Sequence, residues 1–332
     1  MKAVVTPAPG EAPRIMTLPD PTPGPGEVVV RVTVAGLCGT DLKLLDGLIP
    51  TVEYPLVQGH EVAGTIVDGA GILPEGQRVS VYIPQACGNC RWCAKGETNI
   101  CPRSTRMGFE RPGGLAEYVL AKAENVVAVP DSVSDEMAAV ALDAVLSPWR
   151  ALHIKGEVAK GDRVLIVGAG GLGLYAVQIA RAAGAEVAVV DPDPGKLEAA
   201  AELGAALAVA PEEVDSVRSW SPDGADLVLE SSGVPEGFRT ATEVVRAGGV
   251  VVTCGYRPGS DVAADSMRLA MQEITIRGSK GGTRGDADGA MAAVAGGAIR
   301  PLIAQIGGME DVPAFLGALR SGGQVGRMLV RP

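Results

Sequence analysis

Four of the six cysteines fall within 15 residues, as Cys87, Cys90, Cys93 and Cys101. Four soft thiolates in one loop suit a closed tetrahedral zinc site, which leaves no open coordination position and is therefore structural. An iron–sulfur cluster is the rival, since a C-x2-C-x2-C run and a Cys-Pro (Cys101-Pro102) also occur in bacterial ferredoxins. There the fourth cysteine follows sooner and serves a second cluster, for which this chain has no further set. A zinc that does chemistry needs other ligands, and the chain has only two histidines. His60 lies in Gly59-His60-Glu61, and Cys38-Gly39-Thr40-Asp41 precedes it. Cys38 and His60 offer one soft and one borderline donor, with the Asp41 and Glu61 carboxylates available to orient them. A lone histidine or cysteine is more often core. That plainer reading is kept for His153, whose helix-like surroundings, Trp149 to Ile154, offer no second donor.

A second constellation has the spacing of a phosphate-binding turn. Gly168-Ala169-Gly170-Gly171-Leu172-Gly173 follows an apolar run, Arg163 to Val167, and opens a helix-like segment, Leu172 to Ala183. In that context the first glycine permits a tight turn, the second admits a pyrophosphate, and the third packs helix on strand. Asp191 ends the next apolar run, where an acid meets the adenosine ribose hydroxyls. A 2′-phosphate beside it would meet like charge, at roughly 4 kcal/mol for about 4 Å and an effective dielectric of about 20. Pro192, Asp193 and Pro194 follow, with no arginine, so NAD is expected over NADP.

These residues require two kinds of scaffold. Residues 1 to about 140 read as β-rich, with short apolar runs at Val28–Val34, Glu61–Val67, Arg78–Ile83, Glu117–Ala121 and Val126–Val129 between Pro/Gly turns. From Asp162 the texture changes to strands alternating with helices, the pattern of a parallel sheet. Strands are expected at Glu186–Val190, Asp226–Glu230, Val250–Cys254 and Ile274–Arg277, with a helix near Lys196–Leu203. The tail ends in a short strand, Arg327–Val330. No repeat or low-complexity linker separates the two regions, and a ligand is expected between them.

Composition narrows the class. The formal net charge of -10 and the lack of a basic stripe argue against a nucleic-acid partner. No apolar run is long enough to span a bilayer, and Met1–Val5 leads into a strand-like segment with no signal-peptide core, so a cytoplasmic protein is expected.

In this order, Cys38-Gly-Thr-Asp, Gly59-His-Glu, the cysteine lobe, GAGGLG and the Arg327 tail resemble the zinc-containing medium-chain alcohol dehydrogenase family over nearly the whole chain. The resemblance implies an α/β fold: a Rossmann doubly wound parallel sheet, 145–282, inserted in a β-rich GroES-like catalytic domain, 1–144 with 283–332. It implies two zincs per chain, NAD, and a homodimer or homotetramer. Cys38 and His60 would hold the catalytic zinc, Asp41 would orient His60, and Glu61 would be an alternate ligand. Thr40 would relay the alcohol proton, and Arg327 would contact the cofactor pyrophosphate. Gly168, Gly170, Gly171, Leu172, Gly173 and Asp191 would form the cofactor site. Two positions depart from the family. Asp143, in Leu142-Asp143-Ala144-Val145-Leu146-Ser147-Pro148-Trp149, stands where many members place a second cysteine ligand, although some polyol-type members use a carboxylate. Lys43 stands where the proton relay ends in a histidine. The implied reaction is hydride transfer between an alcohol (secondary alcohol, diol or polyol) and NAD. The departures favour a polyol, sugar or aminocyclitol substrate over ethanol. A zinc-free quinone or enoyl reductase is disfavoured by the cysteine lobe and Asp191, and a non-catalytic binding protein by the intact Cys38, His60 and Asp143.

Overall fold

Alternating valines along Glu27–Leu37 bury Val28, Val30, Val32 and Val34 and make the longest strand of the molecule. The computed structural model describes residues 1–332, which divide into two units, 1–143 with 282–332 and 144–281.

In the first unit, Glu27–Leu37 pairs antiparallel with Glu61–Asp68. It also pairs with Tyr118–Lys122 near its start and with Arg327–Val330 at its end. Arg78–Val81, Val126–Ala128 and Ile303–Gly307 complete a seven-stranded sheet. Its core gathers Val28, Val30, Leu37, Ile66, Val79 and Met107, together with Phe315 and Leu316 of the helix Val312–Ser321. Register does the functional work. Gly36 faces Glu61 across the pair, and Met328 faces Leu37, so the strand ends at residues 38, 61 and 327 lie together.

The second unit is a six-stranded parallel sheet. Its order is Leu207–Val209, Glu186–Val190, Arg163–Val167, Ala225–Glu230, Val245–Thr253, Thr275–Gly278, or 3-2-1-4-5-6 in chain order. This is the doubly wound arrangement, with the order reversing beside the first strand. Helices Gly173–Ala182, Pro194–Glu202 and Pro235–Val244 connect the strands, and Asp193 caps the second of them ahead of a proline. No helix is long and apolar enough to cross a membrane.

The β-rich half, the parallel sheet and the final strand are present as the sequence predicts, with some strand ends moved by a few residues, but Leu207–Val209 and Ile303–Gly307 are strands it does not anticipate. The fifth parallel strand is the larger departure. It begins at Val245, five residues before the expected Val250, and carries an irregularity against Ala225–Glu230. Arg246-Ala247-Gly248-Gly249, which lie outside every expected strand, extend this one through the irregular stretch.

Candidate active site

Cys38 ends the central strand and is the N-cap of the helix Gly39–Leu45. Its Sγ accepts from the Thr40 N–H at 3.3 Å, and Asp41 Oδ2 accepts from the Cys38 N–H at 2.8 Å, a reciprocal capping box. The helix start therefore fixes both the thiol and Asp41. His60 enters from the loop before Glu61–Asp68, and the Phe109 ring lies 5.2 Å from its own. Asp143 lies on a π-helical turn, Ala141–Val145, a helix form that recurs at functional sites.

His60 Nε2 lies 3.1 Å from Cys38 Sγ and 3.9 Å from Asp143 Oδ2. One ligand atom from each of the three residues lies within 4.8 Å of the others. A tetrahedral zinc with ordinary bond lengths spaces sulfur and nitrogen ligands by about 3.6 Å, and nitrogen and oxygen by about 3.4 Å. The observed separations match to within about half an ångström, so the donor set fits zinc. On its other side, His60 Nδ1 is 3.7 Å from Asp41 Oδ1, and both atoms are buried without a hydrogen-bond partner. Asp41 thus lies beside His60 as expected, but the direct hydrogen bond is not closed at that distance. Burial opposes charge on His60. Even so, the Cys38 thiol and the Asp41 and Asp143 carboxylates outweigh it and raise the imidazole well above its usual pKa. The pocket thus favours positive charge where the metal would sit.

The family resemblance implies a pyrophosphate contact for Arg327 and an alternate metal-ligand role for Glu61. Here Arg327 Nε donates to Glu61 Oε1 at 2.9 Å, and the guanidinium reaches Asp143 Oδ2 at 3.4 Å. Glu61 Oε2 is buried without a partner. Burial pushes the Glu61 carboxyl up, against the pull of Arg327, to about 8. Gly36, which the sequence does not single out, makes room for it: a Cβ there would lie 2.1 Å from Glu61 Oε2. Only the strand register could reveal that contact. Lys43 lies on the Gly39–Leu45 helix, where burial lowers its pKa while the Cys38 thiol opposes that shift. Thr40 is fixed by its backbone bond to Cys38.

The second metal candidate is the cysteine lobe. Its Sγ–Sγ separations are 3.5 Å for Cys90–Cys93 and Cys87–Cys101, 3.8 Å for Cys90–Cys101 and 3.9 Å for Cys87–Cys93. A zinc–sulfur bond of about 2.3 Å gives a tetrahedron edge of about 3.8 Å, so these thiols also fit zinc. None is in a disulfide. The backbone N–H of Asn89 heads the influences that bring Cys87 down to about 6, into the range of a ready thiolate.

In the second unit, Gly168 adopts φ +93°, and a Cβ at Gly173 would lie 1.8 Å from the Gly168 carbonyl oxygen. At Gly170 a Cβ would meet nothing within 4 Å. Turn, close packing and open approach thus fall on the three glycines as expected. Gly171 and Leu172 complete the turn into the helix. Asp191 Oδ2 accepts from the Ala169 N–H at 2.7 Å and Oδ1 from the Asp193 N–H at 2.9 Å. The carboxylate therefore braces the glycine loop, and each oxygen keeps a lone pair for a ribose hydroxyl. His153 packs on Trp149, ring centroids 5.0 Å apart, with no metal-binding partner.

Residues 24–131 match the family model described as alcohol dehydrogenase GroES-like domain, and residues 171–296 that described as zinc-binding dehydrogenase. An alcohol dehydrogenase of Moraxella sp. (strain TAE123) is 34% identical, over 99% of both chains. The solved acetophenone reductase of Geotrichum candidum NBRC 4597, in complex with NAD, is 32% identical with a TM-score of 0.88, covering 100% of this chain and 97% of that one. A zinc-binding dehydrogenase of Sinorhizobium meliloti 1021, bound to NADP, is 30% identical with a TM-score of 0.92, covering 100% and 99%. The chain belongs to the zinc-containing medium-chain dehydrogenase/reductase superfamily. Its general activity is NAD-linked oxidoreduction between alcohols and carbonyls.

Two zincs per chain are expected by elemental analysis. A chelator should take the Cys38/His60/Asp143 zinc first, leaving far-ultraviolet dichroism unchanged. Cys90→Ser should lose the other and lower Tm, because that metal staples its loop. One zinc, or iron, would contradict the assignment.

Proposed function

We propose that Cys38, His60 and Asp143 are the three protein ligands of the catalytic zinc and that the substrate is a secondary alcohol, diol or polyol. The carrying observation is the convergence of one thiol, one imidazole and one carboxylate within 4.8 Å. The remaining thiol, Cys254, belongs to the other unit and is pushed by burial up to about 12. When bound, zinc supplies Lewis acidity that acidifies an alcohol or polarises a carbonyl. The chain's own groups do the rest. Asp41 holds the Cys38 backbone and flanks His60, and Arg327 steadies the Asp143 carboxylate. Thr40 passes the hydroxyl proton onward, with Lys43 in place of a terminal histidine. Charged groups at residues 43 and 143 favour a substrate carrying further hydroxyls.

The glycine turn and its helix N-terminus hold the dinucleotide phosphates in this reading, and Arg327 reaches the pyrophosphate once the cofactor is in place. Relatives carry either NAD or NADP, so the choice rests on Asp191, buried with its charge at the expected ribose edge. The parallel sheet, residues 145–282, is the cofactor domain, and the rest is the catalytic domain. A homodimer or homotetramer is supported by the exposed edge strand Thr275–Gly278 and by exposed Met267 and Met271. The unpaired cysteines suit a reducing cytoplasm.

In Asp143→Ala, turnover of a broad alcohol panel should fall by more than about 100-fold, beyond the loss of a supporting partner. The catalytic zinc should become labile, while the cysteine-lobe zinc and NADH binding persist. Full activity would remove Asp143 from the ligand set and leave Glu61 as the third ligand.

Wild type should favour NAD over NADP in kcat/KM, and Asp191→Gly should narrow that preference by about tenfold or more as the like-charge penalty is relieved. Equal use of the two cofactors by wild type would overturn the ribose assignment.

A further inference from the structure

The strand order of the parallel sheet reverses between Arg163–Val167 and Ala225–Glu230. A dinucleotide lying across the carboxyl ends of such a sheet places one half on each side of that point. Asp191 ends the strand on one side and, in the reading above, takes the adenosine ribose. The nicotinamide half then falls to the loops that follow Ala225–Glu230 and Val245–Thr253.

Glu230 lies where those two loops begin, and it is only 1% exposed. Its Oε1 accepts from the Ser232 hydroxyl at 2.5 Å and the Gly233 N–H at 2.8 Å. Its Oε2 accepts from the Thr253 hydroxyl at 3.1 Å. Its backbone carbonyl accepts from the Cys254 and Gly255 N–H groups at 2.9 and 3.1 Å. None of these partners is cationic. The loops also meet backbone to backbone. A Cβ at Gly255 would lie 2.4 Å from the Gly233 nitrogen, and one at Gly233 would lie 2.6 Å from the Tyr256 nitrogen. Ser231 separately joins this junction to the phosphate loop, donating to the Gly168 carbonyl at 2.8 Å, a bond that does not involve Glu230.

We propose that Glu230 is a positioning residue for the nicotinamide half of the cofactor, its carboxylate locking the 231–234 and 254–256 loops into one surface. The carboxylate accepts at once from the 231–234 loop and from Thr253, the strand residue that leads into 254–256, through its two oxygens. An amide has one acceptor oxygen and would turn N–H donors toward the donors of one loop. Leaving those donors unpaired in a buried place is costly, so the loops would separate. The inference rests on the NAD reading above.

The test uses the full-length, zinc-loaded protein and two probes, NADH and ADP-ribose, which lacks the nicotinamide. Wild type should bind both, with enhanced NADH emission. Glu230→Ala should weaken NADH by about tenfold and lose the enhancement, while ADP-ribose stays within about twofold, because the broken bonds lie at one end of the site. Glu230→Gln should fall between. If Glu230→Ala does not fold, Thr253→Val, which removes the donor at the strand end that leads into 254–256, should weaken NADH by about threefold with ADP-ribose unchanged. Unchanged NADH affinity and emission in a folded variant would overturn the inference, as would equal weakening of both probes. Failure of wild type to bind either probe would instead overturn the NAD reading and this inference with it.

Discussion

Ionisable groups gathered out of water are the constraint on which the first unit depends. Asp41, Glu61 and His60 are each no more than 2% exposed, Cys38 is 5% exposed, and Asp143 joins them. Removing charges from water costs several kcal/mol per ion unless geometry and hydrogen bonds compensate (about that order). Arg327 supplies one fixed positive charge, bonded to Glu61 and reaching Asp143. His60 lies against both Asp41 and Cys38, yet Asp41 Oδ1, His60 Nδ1 and Glu61 Oε2 are buried without hydrogen-bond partners. A divalent cation held by Cys38, His60 and Asp143, as proposed above, would meet these buried donors with positive charge.

The fold meets this constraint by register. Glu27–Leu37 delivers Cys38 at its end, pairs Gly36 with Glu61 on one side, and places Arg327 beside Leu37 on the other. The helix that starts at Cys38 then supplies Asp41 three residues on. A slip of one residue in either pairing would turn these side chains to the opposite face of the sheet. In the parallel unit, buried carboxylates, Asp191 and Glu230, brace the segments at and beyond the strand ends.

Donor type and local spacing carry information in the sequence itself, which is why the cysteine lobe, the glycine turn, Asp191 and the Cys38/His60 pair are readable without a structure. Asp143 required the resemblance, since an isolated aspartate in a helical run signals nothing. The pairing of Arg327 with Glu61 and the role of Gly36 lay beyond sequence reasoning for a different reason. Their roles arise from cross-strand contacts between residues 266 positions apart in the case of Arg327 and Glu61, and local pattern holds no record of such register. Glu230 escaped notice because a strand-ending acid looks solvent-facing until the following loops are seen folding over it. The early start of Val245–Thr253 carries little local signal, because paired glycines interrupt the apolar run that the neighbouring strand draws into the sheet.

X-ray absorption at the zinc edge tests the central claim most directly. For the fully loaded protein it should report two environments, one of four sulfurs at about 2.3 Å and one of a single sulfur with nitrogen and oxygen at about 2.0–2.2 Å. In Asp143→Cys the second environment should gain a sulfur while the first is unchanged. A second environment that keeps one sulfur in that variant, or one that already contains two in wild type, would contradict ligation by Asp143.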